Sequence, residues 1–286
     1  MVCGKQGVRK AMKYPKISII TPTYDRTDYL EECILSVISQ GYPNLEYIIC
    51  DGGSKNSELF RIFEKYSAKI HSWDSIPDNG HAEAIRRGFE KSSGDILGYL
   101  CSDDLLMPNS LFKIAEYFNE HKEADVFYGD TITLGNRGEV ISKKKCFSFN
   151  RWALFTSLPW SQPSVFWTKC AYEKAGGAFG GANWEYNVYE PNVDIMARLQ
   201  KANCKFIHVP FFLSADRRHD MTVTFTQNSA VRKVSRSIIK RHHPILGSEV
   251  LYPIFKLIMQ FYAMFIYIKT REFDYLVGKM KARFFN

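Results

Sequence analysis

Two adjacent carboxylates end a short apolar segment in the middle of the sequence. The segment covers residues 94–102, and Asp103 and Asp104 follow it directly. An apolar run bounded by glycine is typical of a buried strand, and open α/β sheets bind ligands beyond the carboxyl ends of their strands. Two neighbouring carboxylates repel each other unless a cation or strong hydrogen-bond donors compensate their charge. We therefore expect a binding site at this point of the chain.

A divalent metal ion is the simplest partner for such a pair. Mg²⁺ and Mn²⁺ prefer a few carboxylates together with phosphate oxygens of a substrate, so the pattern predicts a phosphate ester as ligand. The alternative is a solvated pair of carboxylates before a helix, with Asp104 or Asn109 as the capping residue.

The elements that position these residues alternate between strand and helix. Strands are predicted at 16–21, 45–50, 70–73, 94–102, 124–128 and 205–212, and helices at 28–38, 57–66, 81–91, 109–121 and 191–201, with Asp28 as the cap of the first helix. This alternation predicts an α/β fold with a single doubly wound, mostly parallel sheet, followed by a helical C-terminal appendage.

Composition excludes several classes of protein. Of the 286 residues, 45% are hydrophobic and 15% aromatic, which excludes a disordered chain. The seven cysteines are odd in number and form no C-x-x-C pair, which argues against a disulfide framework and a zinc module and favours the reducing cytosol. The first sixteen residues have no apolar stretch, so they do not resemble a secretory signal.

Charge divides the chain into an acidic body and basic ends. Residues 1–16 hold five basic and no acidic groups, residues 231–286 hold eleven basic and three acidic groups, and residues 17–230 have a net charge of −5. An acidic body argues against nucleic acid as a partner, whereas basic ends beside apolar residues suit an anionic membrane surface.

The C-terminal apolar segment is short. Residues 250–268 are interrupted by Pro253, Lys256 and Gln260, and the uninterrupted part falls below the ~20 residues that a membrane span needs. We predict an interfacial amphipathic segment and peripheral attachment to the cytoplasmic face of a membrane. A core helix or a dimer helix is the alternative.

Five motifs occur in register along the chain: TPTYDR at 21–26, DGGS at 51–54, PDNG at 77–80, GD at 94–95 and CSDD at 101–104. In this order and spacing the sequence resembles an inverting family 2 glycosyltransferase with the glycosyltransferase-A fold. The resemblance is strong over residues 16–135 and weaker to about 222. It divides the chain into a basic arm (1–15), a nucleotide-sugar-binding half (16–135), an acceptor-binding half (136–225) and a basic amphipathic tail (226–286).

The resemblance implies transfer of a sugar from a nucleoside-diphosphate donor, with uridine as the preferred base, to a saccharide or lipid-linked acceptor. Cell-surface polysaccharide or glycolipid assembly is the setting it suggests. The donor pocket that it implies contains Thr21, Pro22, Tyr24, Asp51, Asp78, Ser102 and Arg217. The metal site that it implies, for Mn²⁺ or Mg²⁺, contains Asp103, Asp104 and His219. Cys101 departs from the family pattern, because it stands where the first Asp of the metal motif is expected.

A second departure concerns the catalytic base. The family usually carries Asp where this chain has Asn192, and a neutral amide cannot accept the proton of the acceptor hydroxyl. Glu190 and Asp194 lie within one helical turn, so either could replace it, although Arg198 stands four residues after Asp194 and could pair with it. We favour Glu190. A catalytically degenerate scaffold at the membrane remains the alternative function.

Two other enzyme classes lack their motifs here. A dinucleotide-dependent dehydrogenase would need G-x-G-x-x-G after the first strand, where this chain has TPTY. A nucleotidyltransferase would need a phosphate-binding loop near the N-terminus, and none is visible.

Overall fold

The computed structural model describes residues 14–146, 160–177, 191–220, 222, 228–242, 244 and 251–269. The strands are β1 (Ile17–Thr23), β2 (Leu45–Asp51), β3 (Ser72–Ser75), β4 (Ile96–Tyr99), β5 (Leu105–Leu106), β6 (Val126–Leu134), β7 (Val140–Lys144), β8 (Val165–Thr168) and β9 (Phe206–Arg217). The helices are α1 (Leu30–Ile38), α2 (Ser57–Tyr66), α3 (His81–Lys91), α4 (Ser110–Glu120), α5 (Lys169–Lys174), α6 (Pro191–Lys201), α7 (Asn228–His242) and α8 (Leu251–Lys269).

The strands form one sheet in the order β3-β2-β1-β4-β8-β6-β9-β5, with β7 paired to β6. Parallel pairing joins β3, β2, β1 and β4, and again β6 and β9, while β8 runs antiparallel between β4 and β6. The predicted α/β fold with a doubly wound, mostly parallel sheet is therefore confirmed. The carboxyl ends of β1, β2 and β4 lie at one edge of the sheet, which is where parallel strands deliver loops to a ligand.

Helices cover both faces of the sheet. On one face the apolar sides of α1, α2 and α4 pack on residues such as Ile19 and Ile49. On the other face α3, α5 and α6 pack on residues such as Leu97 and Trp167. All seven residues of β1 are buried, because this central strand is covered from both sides.

The predicted helix caps are wrong. Tyr29, not Asp28, precedes α1, and it forms no side-chain bond to the helix, whose start coincides with burial of Leu30 in the core. Asn109 precedes α4 with a left-handed φ of 66° and likewise forms no cap bond. Asp104 is buried and accepts a hydrogen bond from the Arg217 backbone N–H. The alternative prediction, a solvated pair of carboxylates before a helix, is therefore wrong.

β6 and β9 extend well beyond their predicted ends. Thr131 to Leu134 pair with Ser214 to Arg217, so each strand supplies the partner that prolongs the other. β3 begins at Ser72, two residues after the predicted start. These differences arise because strand length depends on the neighbouring strand and not on the local apolar pattern.

The C-terminal helices attach to α6. Ile238 and Ile239 of α7 are buried against Val193 and Ala197 of α6. Within the part of the chain that the structure describes, no helix combines the length and the apolar character that a membrane crossing requires.

Candidate active site

Asp51 is the buried centre of the loop that follows β2. Its carboxylate accepts hydrogen bonds from the backbone N–H groups of Gly53 (3.0 Å) and Ser54 (2.7 Å) and from the hydroxyls of Ser54 (2.5 Å) and Ser75 (2.6 Å). Gly53 has a φ of +84°, and a Cβ there would lie 2.8 Å from the Pro77 backbone, so the turn requires glycine. Asp51 therefore fixes the loop that forms one wall of the expected donor pocket.

Tyr24 and Asp78 lie beside that loop. The Tyr24 ring is 61% exposed and, like the Asp78 carboxylate, approaches Gly52 closely. Asp78 is held by Arg87, whose guanidinium donates to it at 2.9 Å and to the Asp51 carbonyl at 2.8 Å. Arg87 could not be recognised as a site residue from the sequence, because its partners lie on other segments of the chain.

Two residues of the expected sugar-donor pocket, Thr21 and Pro22, are buried inside the sheet near its ligand-binding edge. The Thr21 hydroxyl is fully buried and bonds to the Tyr47 hydroxyl at 3.1 Å, and Pro22 is buried within β1. Ser102 is buried beside the carboxylate pair. In this structure Thr21 thus stabilises the edge from inside the sheet.

The carboxylate pair forms a cluster with Cys101. The ligating atoms of Cys101, Asp103 and Asp104 all lie within 4.8 Å of one another. Burial, and then the charge of Asp103, raise the pKa of Asp104 well above its ordinary value. A cation at this place would relieve that electrostatic cost, so the donor set fits a divalent metal ion held by the two carboxylates.

Arg217 and His219 complete this side of the site. The His219 Nε2 lies 3.0 Å from the Asp103 carboxylate, and the Arg217 Nε donates to the Asp103 carbonyl at 3.2 Å. Arg217 is 3% exposed, stacks over the Tyr29 ring and pairs with Glu32 at 2.6 Å. Tyr29 and Glu32, at the start of α1, are further site residues, and local sequence gives no signal for them because Arg217 is distant in the chain.

His81 is close enough to both parts of the site for their carboxylates to affect its pKa. It is the first residue of α3, and both Asp78 and Asp103 act on it electrostatically. Burial lowers the pKa of His81, although the two carboxylates oppose that shift. The lowered pKa favours the neutral form of this imidazole.

Asp194 lies in the contact between α6 and α7. Its carboxylate accepts from the Arg198 Nε at 2.8 Å and bonds to the His242 Nε2 at 3.2 Å. Burial would raise the pKa of Asp194, but His242 and Arg198 outweigh it and hold the pKa below its usual value. The expected i,i+4 pair with Arg198 is confirmed, on a buried face. Asn192 is half-buried, and Glu190 lies outside the described residues.

Residues 18–159 match the family model described as glycosyl transferase family 2. This part of the chain is a family 2 glycosyltransferase domain. The resemblance found in the sequence motifs is thereby confirmed. The family domain contains Asp51, Asp78, Asp103 and Asp104, whereas Arg217 and Asp194 lie beyond the matched residues.

Curated relatives share the same region. The chain is 29% identical over 142 residues to the O-antigen biosynthesis protein RfbC of Myxococcus xanthus, which covers 48% of this chain and 11% of that protein. It is 32% identical over 120 residues to the putative teichuronic acid biosynthesis glycosyltransferase TuaG of Bacillus subtilis, which covers 41% of this chain and 48% of that protein. The chain thus spans less than half the length of these two relatives.

Among solved structures, S. aureus TarS has a similar fold. The TM-score is 0.61 with 17% identity, over 82% of this chain and 40% of the TarS chain. A TarS fragment of residues 1–349 has been solved in complex with UDP-GlcNAc, and the TM-score to that structure is also 0.61.

Proposed function

We propose that this protein is a metal-dependent glycosyltransferase that transfers a sugar from a nucleoside-diphosphate donor, a UDP-sugar, to an acceptor hydroxyl with inversion. The partly buried cluster of Asp103, Asp104 and Cys101, together with the Asp51 and Asp78 loops, carries this proposal. The names of RfbC and TuaG favour cell-surface polysaccharide or glycolipid assembly, and the UDP-GlcNAc complex of TarS favours the donor class.

Asp103 and Asp104 would hold Mn²⁺ or Mg²⁺, with Cys101 as a neighbouring group. The ion supplies charge neutralisation for the departing diphosphate. His219 orients the Asp103 carboxylate through its 3.0 Å contact. Arg217 adds a fixed positive charge on the same side, and Tyr24 offers an exposed ring on which a base can stack.

We assign the base to Glu190. Asp194 is already bonded to Arg198 and His242, and its lowered pKa makes it a weaker proton acceptor. Glu190 directly precedes α6 in the sequence. Its role is to take the proton of the acceptor hydroxyl as the sugar is transferred.

A donor screen tests the activity. Purified protein is incubated with Mn²⁺ and a series of UDP-sugars and other sugar nucleotides, with a panel of saccharide and lipid-linked acceptors, and released nucleoside diphosphate is measured. Asp103→Asn should remove turnover and leave the melting temperature within the range of ordinary surface substitutions. Full turnover in excess chelator would contradict the metal requirement. The anomeric configuration of the product, read by NMR, tests inversion.

A pair of variants tests the base. Glu190→Gln should lower kcat by about 10²-fold or more and leave donor binding unchanged, because the proton moves only in the transition state. Asp194→Asn should lower stability and spare the chemical step. Turnover that survives in Glu190→Gln and is lost in a folded Asp194→Asn would reverse the assignment. A protein that binds UDP-sugar but shows no turnover with any acceptor would favour the scaffold.

We further propose that α8 attaches the protein peripherally to the cytoplasmic face of an anionic membrane. Among the side chains of α8 that the structure describes, eight large apolar ones are 36–62% exposed: Ile254, Leu257, Ile258, Phe261, Tyr262, Met264, Phe265 and Ile268. At 3.6 residues per turn they occupy an arc of about 160°. Tyr252, outside that arc, packs toward α6 and α7. The exposed Lys240 and Arg241 of α7 suit anionic headgroups.

Flotation with vesicles containing phosphatidylserine tests this attachment. A Phe261→Asp/Phe265→Asp variant should float less than the unaltered protein, while Ile141→Asp, at an equally exposed apolar residue of β7, should float normally. If α8 is removed as a further test, the shortened protein should still contain His242, because this residue bonds to Asp194. Equal flotation of the two variants would refute the role of α8.

A further inference from the structure

A second group of metal-ligating atoms lies away from the proposed donor pocket. The side chains of Asp130 on β6, His208 on β9 and Cys146, two residues beyond β7, place their ligating atoms within 4.8 Å of one another. Asp130 stands four residues before Leu134, which pairs with Arg217. At about 3.3 Å per residue, the group is roughly 13 Å along β6 from that side of the donor site.

The three side chains are held by the sheet. Asp130 accepts from the Cys146 backbone N–H at 2.8 Å and bonds to the His208 Nε2 at 2.9 Å. The Cys146 thiol donates to the Gly129 carbonyl at 3.1 Å. The imidazole of His208 stacks on the fully buried Tyr128 ring at 5.4 Å between centroids. The pairing of β6 and β9 shifts its register on both sides of Asp130, so an irregularity of the sheet coincides with this group.

We propose that Asp130, Cys146 and His208 bind a zinc ion. One thiolate, one imidazole and one carboxylate form a donor set that zinc accepts and that Mg²⁺ or Ca²⁺ does not favour. Ligands at about 2.0–2.3 Å from a tetrahedral zinc ion lie roughly 3.3–3.8 Å from one another, so small side-chain rotations close the group around the ion. Water fills the fourth position.

Binding exchanges protons and hydrogen bonds in a balanced way. The Cys146 thiol releases its proton to solvent and gives up its bond to the Gly129 carbonyl, and the thiolate lone pair binds zinc. In the present contact the His208 Nε2–H donates to Asp130, so zinc binding uses the tautomer whose proton is on Nδ1; Nε2 then offers its lone pair to the ion, and one Asp130 oxygen becomes a ligand. The backbone N–H of Cys146 continues to orient the carboxylate, as groups around metal ligands commonly do.

An ion has a route to the group through His208. This residue is half-buried and borders a surface groove that Tyr117, Lys205 and Pro210 also line. Once bound, zinc would join β6, β9 and the chain that leaves β7. The ion is therefore a structural link between segments that are far apart in sequence, and its binding is independent of sugar transfer.

Metal titration of the tag-free, chelator-treated protein tests the site directly. We expect one equivalent of Zn²⁺ to bind in competition with a chromophoric chelator and to raise the melting temperature. Co²⁺ in place of Zn²⁺ should give a thiolate-to-cobalt charge-transfer band. Cys146→Ser should remove that band, and Cys101→Ser, at the other cluster, should keep it.

His208→Gln tests a ligand whose partial exposure favours folding of the variant. It should weaken Zn²⁺ binding at least tenfold, while Asp103→Asn leaves it unchanged. The proposal is overturned if the unaltered protein binds no stoichiometric Zn²⁺, if the cobalt band follows Cys101, or if His208→Gln binds Zn²⁺ normally. The cobalt band of Cys101→Ser and the Zn²⁺ affinity of His208→Gln test the site even if Cys146→Ser does not fold.

Discussion

Arg87 should control both the stability of the donor pocket and its affinity for nucleotide. This side chain of α3 is 9% exposed, and its guanidinium joins Asp78 at 2.9 Å, Asp74 at 3.3 Å and the Asp51 carbonyl at 2.8 Å. It therefore ties three segments at the carboxyl edge of the sheet to one helix. Arg87→Met keeps the apolar stem and removes the charge.

The loss of stability in Arg87→Met depends on the carboxylates that lose their partner. Breaking a buried ion pair by removing one member costs about 3–5 kcal/mol. Asp74 retains Lys91 as a partner, so the Asp78 carboxylate, with 6% of its side chain exposed, carries most of the loss. We expect a decrease of about 3 kcal/mol in the free energy of unfolding. For a chain of this size that corresponds to a fall in melting temperature of roughly 6–12 °C.

Arg86→Met is the matched control. Arg86 is the preceding residue of α3, its side chain is 26% exposed, and it pairs with Glu83 and Glu90 of the same helix. Such surface pairs contribute about 0–1 kcal/mol each. Denaturant unfolding and calorimetric titration with UDP measure both effects. If the two variants lose equal stability, or if Arg87→Met binds UDP normally, the role assigned to Arg87 is refuted.

Three further outcomes follow from other contacts. Burial would raise the pKa of Glu46, but its bonds to Lys16, Ser18 and Ser93 outweigh burial and lower that pKa to about 2. Up to ~3 kcal/mol of stability should therefore be lost as the pH falls from about 4.5 to about 2. Urea unfolding across that range measures the loss, and Glu46→Gln should make the free energy of unfolding depend less steeply on pH. Gly53→Ala should destabilise the protein by more than ~1 kcal/mol and weaken UDP binding, because its Cβ would meet the Pro77 backbone at 2.8 Å; unchanged thermal unfolding would contradict the assigned strain. His242→Gln should lower the melting temperature without changing UDP affinity, since the contact that it removes, with Asp194, joins α7 to α6.

Several helices could be predicted to the residue from local patterns. The bounds of α2, α3 and α6 coincide with the predicted ranges 57–66, 81–91 and 191–201. Apolar spacing of three and four residues and a proline at the first helical position act within a single helix, so the sequence is enough to locate them. The positions of Asp51, Asp78 and Asp103 at strand or loop ends followed from the same alternation.

The partners of the charged groups could not be predicted in this way. Asp104 bonds to Arg217 across 113 residues and Glu32 pairs with Arg217 across 185, and both contacts exist only because β9 runs beside β5 and β6. The same holds for Asp194, which meets His242 where α7 packs on α6. The sequence by itself determined which residue types stand at the edge of the sheet and which helices flank it. The tertiary structure alone decided which carboxylates are buried, paired or left to bind a cation, because their pKa values and partners depend on strand order.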